Sequence, residues 1–488
     1  MKKAISVNKI REILIITALC FVFTFIMLLH LNVFSKANNI HNATENIMTA
    51  HRIPACTVVE YKNSELDFDN YGESHGTEIR DSSLFVLGST TKAFTGLAIQ
   101  MLSDDGYINL DDNISNYIPW LQFLYHGEKV DITIRQLLSH SSGIPYKTLY
   151  NLPSGDYEGV IEKSVKAIDG MELDFAPGTK YQYVNMNYTI LAYLLEVITG
   201  KSYEAYIQEN ILLPLGMNNT YLYLDQAIKK DTFVNGSRTF FGCVMEYNAE
   251  LEGANRPAGG MITCTADLGK WIKAQMGESG VADNLKKAIA RTHDISQCAY
   301  TPKNGDDYYL FGWHISADGE KIMHTGGIQN YGSCVMIDFK SRTAVATLCN
   351  SMLSPAVYIA ENYMAAIQGA GKYNISFASV ATLDIICSFI CLLLLYFIIN
   401  MILKIIKEKS ILAKTSSLTI KTVLLCCISI VLACFPYLIG YTYAMLWKWS
   451  AMTMIVSIIE GFLLCVLKIY FNVSLLLKQT QVISSLSF

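Results

Sequence analysis

The chain has 488 residues, of which 51% are hydrophobic and 16% are charged, and its mean hydropathy is +0.28. This hydropathy is high for a soluble protein and indicates membrane segments beside one or more folded domains. The formal net charge of −4 gives no indication of a nucleic-acid partner. The 13 cysteines form no Cys-x-x-Cys pair and no Cys/His cluster at zinc spacing, so their spacing predicts no zinc site. No cofactor is expected.

The amino-terminal segment, residues 1–37, is predicted to be a signal anchor or a signal peptide. Four cationic residues precede an apolar run over residues 13–34, which is long enough to span a bilayer. Ser35 and Ala37 also place small residues where a signal peptidase would cleave, so both alternatives stay open. In either case the cationic residues keep the amino end in the cytoplasm and place the following segment outside.

Residues 38–372 form the next segment, which is mixed in composition and contains no long apolar run. About 330 residues are enough to bury a large core. Strands at both ends of the segment, with helices between them, predict one sheet flanked by helices. The predicted elements are, in chain order, a strand at 56–61, a helix from 97 that ends at Gly106, helices at 134–138, 188–198 and 267–276, and strands at 333–338 and 343–348.

The first motif is Gly88-Ser89-Thr90-Thr91-Lys92, which follows an apolar run and opens a segment with apolar residues at helical spacing. Because positions i and i+3 share one face of a helix, Lys92 is expected to place its amine beside the Ser89 hydroxyl. A serine becomes a nucleophile when an adjacent base takes its proton, and a lysine can be that base when burial lowers its pKa. The alternative is that Ser89 is an ordinary helix cap.

Tyr183 and Asn185 form a second polar motif just before the predicted helix at 188–198. A nearby lysine ammonium would favour the phenolate of Tyr183, so this residue can share the role of base. Asn185 can hydrogen-bond to a substrate amide. The alternative is that Tyr183 is a core aromatic residue whose hydroxyl bonds to the backbone.

The third motif, His324-Thr325-Gly326-Gly327, stands before the predicted strand at 333–338. His324, Gly326 and Gly327 are candidate residues for binding the substrate or its oxyanion, because the glycines would let a substrate approach the backbone closely. The Gly327 N–H and the Ser89 N–H together can form an oxyanion hole, in which each donor is worth about 3 kcal/mol. The alternative is a simple turn between strands.

The carboxyl-terminal segment carries three apolar runs, 385–403, 423–443 and 451–467, and residues 373–488 are predicted to form a three-helix transmembrane domain. The loop between the first two runs is rich in lysine and is expected in the cytoplasm. The aromatic hairpin between the second and third runs is typical of the outer interface. The large middle segment is therefore expected outside. Glu460 within the third run is expected either to face other helices or to serve function directly.

Together the three motifs resemble those of the serine β-lactamase and penicillin-binding-protein superfamily, in its class C β-lactamase-like branch. Residues 89–92 match the family motif S-x-x-K, and residues 183–185 match the motif Y-x-N. Residues 324–326 occupy the place of the motif K-T-G. The resemblance covers roughly residues 50–365, in the right order. Further segments that look like the family are 137–145, 214–217 and 257–261.

The resemblance implies an α+β fold, in which an antiparallel sheet flanked by helices lies beside a helical subdomain, with the site between them. It implies that Ser89 is acylated, that Lys92 and Tyr183 transfer the protons, and that no metal takes part. His324 departs from the lysine of penicillin targets and is similar to what esterases and D-amino-acid peptidases of the branch carry. This departure argues against a cell-wall transpeptidase or a broad β-lactamase.

The membrane segments add a resemblance to the membrane-bound prodrug-activating D-asparagine peptidases, the group that includes the colibactin-maturing peptidase. The chain is therefore predicted to be a multi-pass protein of the bacterial cytoplasmic membrane. Its outer serine hydrolase domain, residues 38–372, is expected to cleave a D-amino-acid amide in a small peptide or peptide-like substrate. The alternatives are an esterase, a β-lactamase or D-alanyl carboxypeptidase-like hydrolase, and a non-catalytic receptor for cell-wall peptide or β-lactam.

Asn330 is a local departure, because the family commonly has a glycine at this position. An amide beyond the oxyanion donor, near the rim of the site, is expected to recognise a polar substrate side chain. The alternative is that Asn330 merely adopts a left-handed turn conformation.

Overall fold

The computed structural model describes residues 17–18, 21–23, 37–74, 76–150, 153–278, 280–302, 306–352, 355–370, 373, 380–407, 415–439 and 442–486. Most of the predicted signal segment at 1–37, and the part of the lysine-rich loop at 408–414, lie outside these residues. The segment 38–372 is described apart from short gaps, and the three predicted membrane runs are described over most of their length.

Helices and short strands alternate along the described chain. The strands are β1 (Ala55–Lys62), β2 (Glu65–Ser74), β3 (Thr77–Glu78), β4 (Phe85–Val86), β5 (Phe123–Tyr125), β6 (Glu128–Val130), β7 (Met171–Glu172), β8 (Ser237–Phe240), β9 (Cys243–Glu246), β10 (Ile262–Thr263), β11 (Tyr308–Leu310), β12 (Trp313–Ile315), β13 (Lys321–Gly327), β14 (Gly332–Asp338) and β15 (Thr343–Cys349). The helices are α1 (Ile40–His51), α2 (Lys92–Asp104), α3 (Ile134–Leu138), α4 (Val160–Lys166), α5 (Asn185–Thr199), α6 (Tyr203–Ile207), α7 (Leu224–Ala227), α8 (Arg256–Gly259), α9 (Thr265–Gln275), α10 (Asp283–Thr292), α11 (Ala356–Ile367), α12 (Val380–Lys407), α13 (Thr415–Leu438), α14 (Tyr443–Trp449) and α15 (Met452–Leu486).

An eight-stranded sheet organises the hydrolase-like segment, and its antiparallel pairing confirms the predicted α+β fold class. The strand order is β11-β12-β13-β14-β15-β1-β2-β3, so strands from the two ends of the segment meet inside the sheet. β1 and β15 pair with Val59 opposite Ala346. Every residue of β15 is buried, because α9 covers one face of the sheet and α11 covers the other.

Helix α2 lies at the centre of the larger core and begins with the lysine of the first motif. It is buried on nearly every side, so that the Lys92 side chain is 0% exposed. Phe94 stacks on Trp271 of α9 with ring centroids 3.9 Å apart. Gly96 faces the backbone of Phe311, and a Cβ at this position would stand 2.3 Å from the Phe311 carbonyl oxygen. The helix is therefore fixed between the sheet and the helical layer, with no room for adjustment.

Two predicted helices differ from the structure at their ends. The pattern predicts a helix from residue 97, whereas α2 begins at Lys92 and ends at Asp104, just before Gly106 turns the chain with a φ of 76°. The second helix, α5, begins at Asn185 rather than at 188. Gly200 ends this helix with a φ of 66°.

The carboxyl-terminal helices α12, α13 and α15 are long and apolar enough to cross a membrane. α15 packs against both α12 and α13. The second helix ends at Leu438 rather than at 443, and the short helix α14 separately carries Trp447 and Trp449. Glu460 of α15 lies beside Cys391 of α12, so it faces a neighbouring helix as predicted. The candidate spans are Val380–Ile406, Leu418–Leu438 and Met452–Thr480.

Candidate active site

Ser89 lies in a single 3-10 turn, Gly88–Thr91, that leads directly into α2. Its side chain is partly exposed, whereas the other residues of the turn are buried. Gly88 has a φ of 61°, and a Cβ at this position would stand 2.7 Å from the Gly327 nitrogen. The serine turn can therefore approach the end of β13 closely only because position 88 has no side chain.

Lys92 is placed beside Ser89 as the spacing predicts, with its Nζ 3.3 Å from the Ser89 Oγ. The same amine donates to the Ala258 carbonyl oxygen at 2.7 Å, so both of its partners in the described chain are uncharged. Burial lowers the pKa of Lys92 well below its ordinary value. Burial therefore favours the neutral amine, which is the form that can accept the Ser89 proton.

Tyr183 lies on the other side of the amine, and the Lys92 Nζ is 4.7 Å from the centre of its ring. Burial raises the pKa of Tyr183, and hydrogen bonding to Ser89 offsets only part of this rise. Burial thus disfavours the charged form of each group, the Lys92 ammonium and the Tyr183 phenolate. The role of Tyr183 as a shared base stays a prediction.

Asn185 begins helix α5, directly after the Tyr183 segment. Its Oδ1 is buried and has no hydrogen-bond partner among the residues that the structure describes. An unpaired buried oxygen costs about 1–3 kcal/mol unless a ligand or a water supplies a donor. Asn185 therefore has an acceptor to offer to a substrate N–H, which is the role predicted for it.

His324 is buried, and both of its ring nitrogens are hydrogen-bonded. Its Nδ1 donates to the Thr325 carbonyl oxygen at 2.7 Å, which leaves Nε2 to accept from the Tyr309 hydroxyl at 3.0 Å. Burial lowers the pKa of His324 well below its ordinary value, so the ring is neutral. The structure thus bonds His324 to Tyr309, and its predicted contact with substrate stays a prediction.

Two residues that the motif analysis did not single out also belong to this cluster. The His140 Nδ1 accepts from Asn187 Nδ2 at 2.9 Å and faces the Val184 N–H at 3.3 Å, so the proton of the neutral ring is on Nε2. The His140 ring is 4.4 Å from the Tyr183 ring and 4.6 Å from the Tyr309 ring. His140 lies in a family-like segment, which is a usable signal. Tyr309 lies on the short strand β11 and has no sequence signal.

The end of β13 that carries Gly326 and Gly327 lies against the Ser89 turn. A Cβ on Gly326 would stand 2.1 Å from the Leu87 carbonyl oxygen, so this position also requires glycine. β12 pairs with only two residues of β13, both before His324, so in the described chain the rest of this edge has no neighbouring strand. A substrate can therefore lie along the edge, where the Gly327 N–H is the predicted oxyanion donor.

Asn330 lies in the turn between β13 and β14, and it is buried rather than at a rim. Its Nδ2 donates to the Tyr247 carbonyl oxygen at 2.7 Å and packs over Gly236, which has no Cβ to obstruct it. Its Oδ1 is buried without a partner in the part of the chain that the structure describes. The amide ties this turn to the segment after β9, and its predicted role in substrate choice stays a prediction.

Comparisons with known proteins agree with this fold. A profile of the beta-lactamase family matches residues 40–370, a range that contains the three motifs and Tyr309. The chain is similar to the octameric penicillin-binding protein homologue from Pyrococcus abyssi, with a TM-score of 0.58 and 25% identity over 68% of this chain and 77% of that chain. It shares its fold with the D-alanine carboxypeptidase AmpC from Burkholderia cenocepacia, with a TM-score of 0.55 and 19% identity over 67% of this chain and 97% of that chain.

Relatives with curated descriptions are similar over the same region. Protein flp of Staphylococcus aureus is 28% identical over 312 residues, which are 63% of this chain and 61% of that protein. The unguisins hydrolase ungD' of Aspergillus campestris is 28% identical over 334 residues, which are 62% of this chain and 59% of that protein. The chain thus spans about three fifths of the length of these relatives.

Proposed function

The chain belongs to the beta-lactamase family, and from this premise we propose that it is a serine hydrolase that reacts through an acyl-enzyme on Ser89. The observation that carries the proposal is the buried Lys92 amine, 3.3 Å from the Ser89 Oγ and bonded to uncharged partners. A protein that only binds a ligand does not require a buried neutral base beside a hydroxyl. This geometry therefore argues against the receptor alternative.

Acylation begins when the neutral Lys92 amine takes the Ser89 proton while Oγ attacks the substrate carbonyl carbon. The N–H groups of Ser89 and Gly327 stabilise the negative charge that develops on the carbonyl oxygen. The Tyr183 phenol then gives its proton to the leaving amine as the C–N bond breaks. The Lys92 ammonium returns a proton to Tyr183, so both residues end the step neutral.

Deacylation uses the same residues in reverse. The Lys92 amine takes a proton from a water molecule, whose oxygen attacks the acyl carbonyl carbon. The ester bond to Ser89 then breaks, and the departing serine oxygen recovers its proton from the Lys92 ammonium. The product acid leaves, and the site returns to its neutral resting state.

An amide of a D-amino acid is the proposed substrate class. The unpaired Asn185 Oδ1 suits a substrate N–H, which an ester lacks. The neutral His324 is bonded to Tyr309 and offers no positive charge to a substrate carboxylate. A relative at 28% identity, the unguisins hydrolase ungD', is a hydrolase by name, which supports hydrolysis as the reaction.

The proposed location is a bacterial cytoplasmic membrane, with the catalytic segment on the outer side. Three helices have the length and composition of membrane spans. Arg238 of the catalytic segment donates to the carbonyl oxygens of Trp447 and Ser450, in the aromatic hairpin between the second and third of these helices. Because aromatic residues of this kind favour the membrane interface, the contact supports the same side of the membrane for the catalytic segment and the hairpin. The lysine-rich loop at the opposite ends of the first two helices, expected in the cytoplasm, makes that side the outer one.

The proposed nucleophile is tested by labelling the full chain with a fluorophosphonate and by assaying N-acyl-D-asparaginyl and N-acyl-D-alanyl amides, their L counterparts and a matched ester. The parent should be labelled and should hydrolyse a D-amide, whereas Ser89→Ala should do neither. Ser164→Ala is the matched control, because its hydroxyl is buried and bonds only to the Val160 carbonyl in the described chain. Labelling that survives in Ser89→Ala contradicts the mechanism, and turnover of the ester alone favours the esterase alternative.

The proposed side of the membrane is tested by fusing alkaline phosphatase to the chain after residue 372 and, separately, after residue 414. The first fusion should be active and the second inactive, because the enzyme matures only outside the cytoplasm. The opposite pattern would place the catalytic segment in the cytoplasm.

A further inference from the structure

The β8–β9 hairpin ends in an apolar tip that is exposed in the described structure. Phe240 pairs with Cys243, so the turn consists of Phe241 and Gly242, which have φ angles of 49° and 73°. Phe241, Val244 and Met245 are 40%, 45% and 46% exposed. A bulky residue at a positive φ is uncommon, and short hairpin turns are ordinarily polar. The apolar composition of this tip therefore requires a physical explanation.

The tip lies beside the outer end of the first candidate span. The Gly242 N–H donates to the Asp384 Oδ2 at 2.8 Å, and Asp384 is four residues into the span Val380–Ile406. This span has 27 residues, so the helix is about 40 Å long and exceeds the hydrocarbon thickness of about 30 Å. A residue about 6 Å from its end is therefore level with the headgroup layer.

The base of the hairpin is tied to the other membrane helices, which fixes the depth of the tip. The buried Arg238 donates to the carbonyl oxygens of Trp447, at 2.8 Å, and Ser450, at 2.7 Å. The Thr453 hydroxyl at the start of α15 donates to the Asp384 Oδ1 at 2.7 Å. These bonds join the hairpin to α12, α14 and α15, so it cannot move relative to the spans without breaking buried hydrogen bonds.

We infer that the tip of this hairpin is a lipid-contact surface, in which Phe241, Val244 and Met245 enter the interfacial layer of the bilayer that the three helices cross. Ile385 of the first span lies beside the turn, 3.9 Å from a Cβ built on Gly242, and its neighbour Ile386 is an exposed apolar side chain. A second copy of the chain is the other possible occupant. Three side chains are too small an area for a stable dimer, which buries about 800 Å² per partner.

The base of the hairpin is also joined to the catalytic cleft. The Arg238 guanidinium lies 4.8 Å from the centre of the Tyr247 ring, and the Tyr247 carbonyl accepts from Asn330. Asn330 stands in the turn after the strand that carries Gly327. The membrane-contacting hairpin is thus joined to the oxyanion strand through two neighbouring contacts.

The inference is tested on the full chain with an environment-sensitive fluorophore on Cys243, which is exposed at the tip. So that the fluorophore reacts only with Cys243, alanine replaces the cysteines at positions 20, 298, 426, 427 and 434. These are the other cysteines that the structure does not show to be buried. The labelled chain is placed, one copy per disc, in nanodiscs of phosphatidylcholine and phosphatidylglycerol. Quenching by lipids spin-labelled near the headgroup is compared with quenching by iodide in the buffer.

The matched control carries the fluorophore on Lys340→Cys in a Cys243→Ser background. Lys340 lies in the exposed turn after β14, and β14 runs for seven residues, or about 20 Å, away from the Asn330 turn. The Cys243 probe should be quenched by spin-labelled lipid at least threefold more than the control probe, and by iodide correspondingly less. Replacing Phe241, Val244 and Met245 by serine should reduce lipid quenching at Cys243 toward that of the control.

Two outcomes would overturn the inference. Equal iodide quenching of the two probes would place the tip in water. Cys243 could also be protected from both quenchers only when a disc holds two copies of the chain. That result would assign the tip to a contact between copies. The measurement does not require catalysis, so it is independent of the activity proposed for Ser89.

Discussion

Two buried cations, Lys92 and Arg256, meet at the short helix α8 and differ in what surrounds them. Arg256 is paired with the carboxylates of Asp156 and Glu204, whereas Lys92 bonds to the uncharged Ala258 carbonyl. Burial lowers the pKa of Arg256 only to about 10, so it stays charged at neutral pH. Burial lowers the pKa of Lys92 well below its ordinary value. Within one core, therefore, a basic side chain with counter-ions stays charged and is a structural tie, whereas one without counter-ions loses its proton more readily and can serve as a base.

Replacing Lys92 is expected to have the largest effect on activity and little effect on stability. Lys92→Met should lower the acylation rate by about 10²- to 10⁴-fold, because the general base is lost. Its free energy of unfolding should stay the same or rise, because an apolar side chain replaces a desolvated amine. Fluorophosphonate labelling rates and urea unfolding measure the two quantities. A large loss of stability would show that the amine is a structural tie after all.

Replacing Arg256 is expected to have the reverse effect. Arg256→Met should lower the free energy of unfolding by about 3–5 kcal/mol, because it leaves two carboxylates without a counter-ion. Activity per folded molecule should fall far less than in Lys92→Met. Urea unfolding and active-site titration check both, with Arg256→Lys as the control that retains a positive charge. Unchanged stability in Arg256→Met would remove the distinction between the two cations.

The pH dependence should separate the parent from Lys92→Met. The pKa of Lys92 in the folded protein is below its ordinary value of 10.5. At a pH between the folded and the ordinary pKa, the unfolded state therefore binds more protons than the folded state. In this window the stability of the parent should rise with pH relative to Lys92→Met. The acid limb of kcat/KM should follow the same folded pKa, because only the neutral amine accepts the Ser89 proton. If the free energy of unfolding changed with pH in the same way in both proteins, Lys92 would not be buried without a counter-ion.

Tyr309→Phe is expected to have a smaller effect on the rate. It removes the hydroxyl bonded to His324 and loosens the aromatic contact with Tyr183. Loss of a hydrogen bond worth about 1 kcal/mol corresponds to roughly a fivefold fall in kcat. Tyr363→Phe is the matched control, since its buried hydroxyl bonds to Asp69 on the opposite face of the sheet. Equal kcat values in the two variants would show that Tyr309 only fills the core.

Asn330→Gly tests the smallest expected effect, which is on substrate choice. It should lower kcat/KM for an N-acyl-D-asparaginyl amide more than for its D-alanyl counterpart, because sites built on hydrogen bonds reject analogues that lack them. Steady-state kinetics on both substrates measures the ratio. Equal losses, or a preference of the parent for the L-asparaginyl amide, would show that Asn330 only ties its turn to Tyr247.

Features that depend on local geometry could be predicted from the order of the amino acids. The i, i+3 spacing of Ser89 and Lys92 brought their side chains to 3.3 Å, because one helical turn sets that distance wherever the helix lies. Alternating and continuous apolar runs indicated the sheet and the three long apolar helices, since strand and helix periods are properties of the backbone. The motif order identified the family before any contact was known.

Packing between distant segments sets the solvation of these residues and brings further residues to them. The lowered pKa of Lys92 and the raised pKa of Tyr183 follow from burial, and burial depends on segments that are distant in sequence. Tyr309 reaches His324 because β11 and β13 lie in one sheet, and nothing in its local sequence indicates that contact. Asn330 is buried because Gly236 leaves room for its amide. Spacing along the chain sets what is adjacent within an element, whereas packing between elements sets solvation, and solvation sets the chemistry.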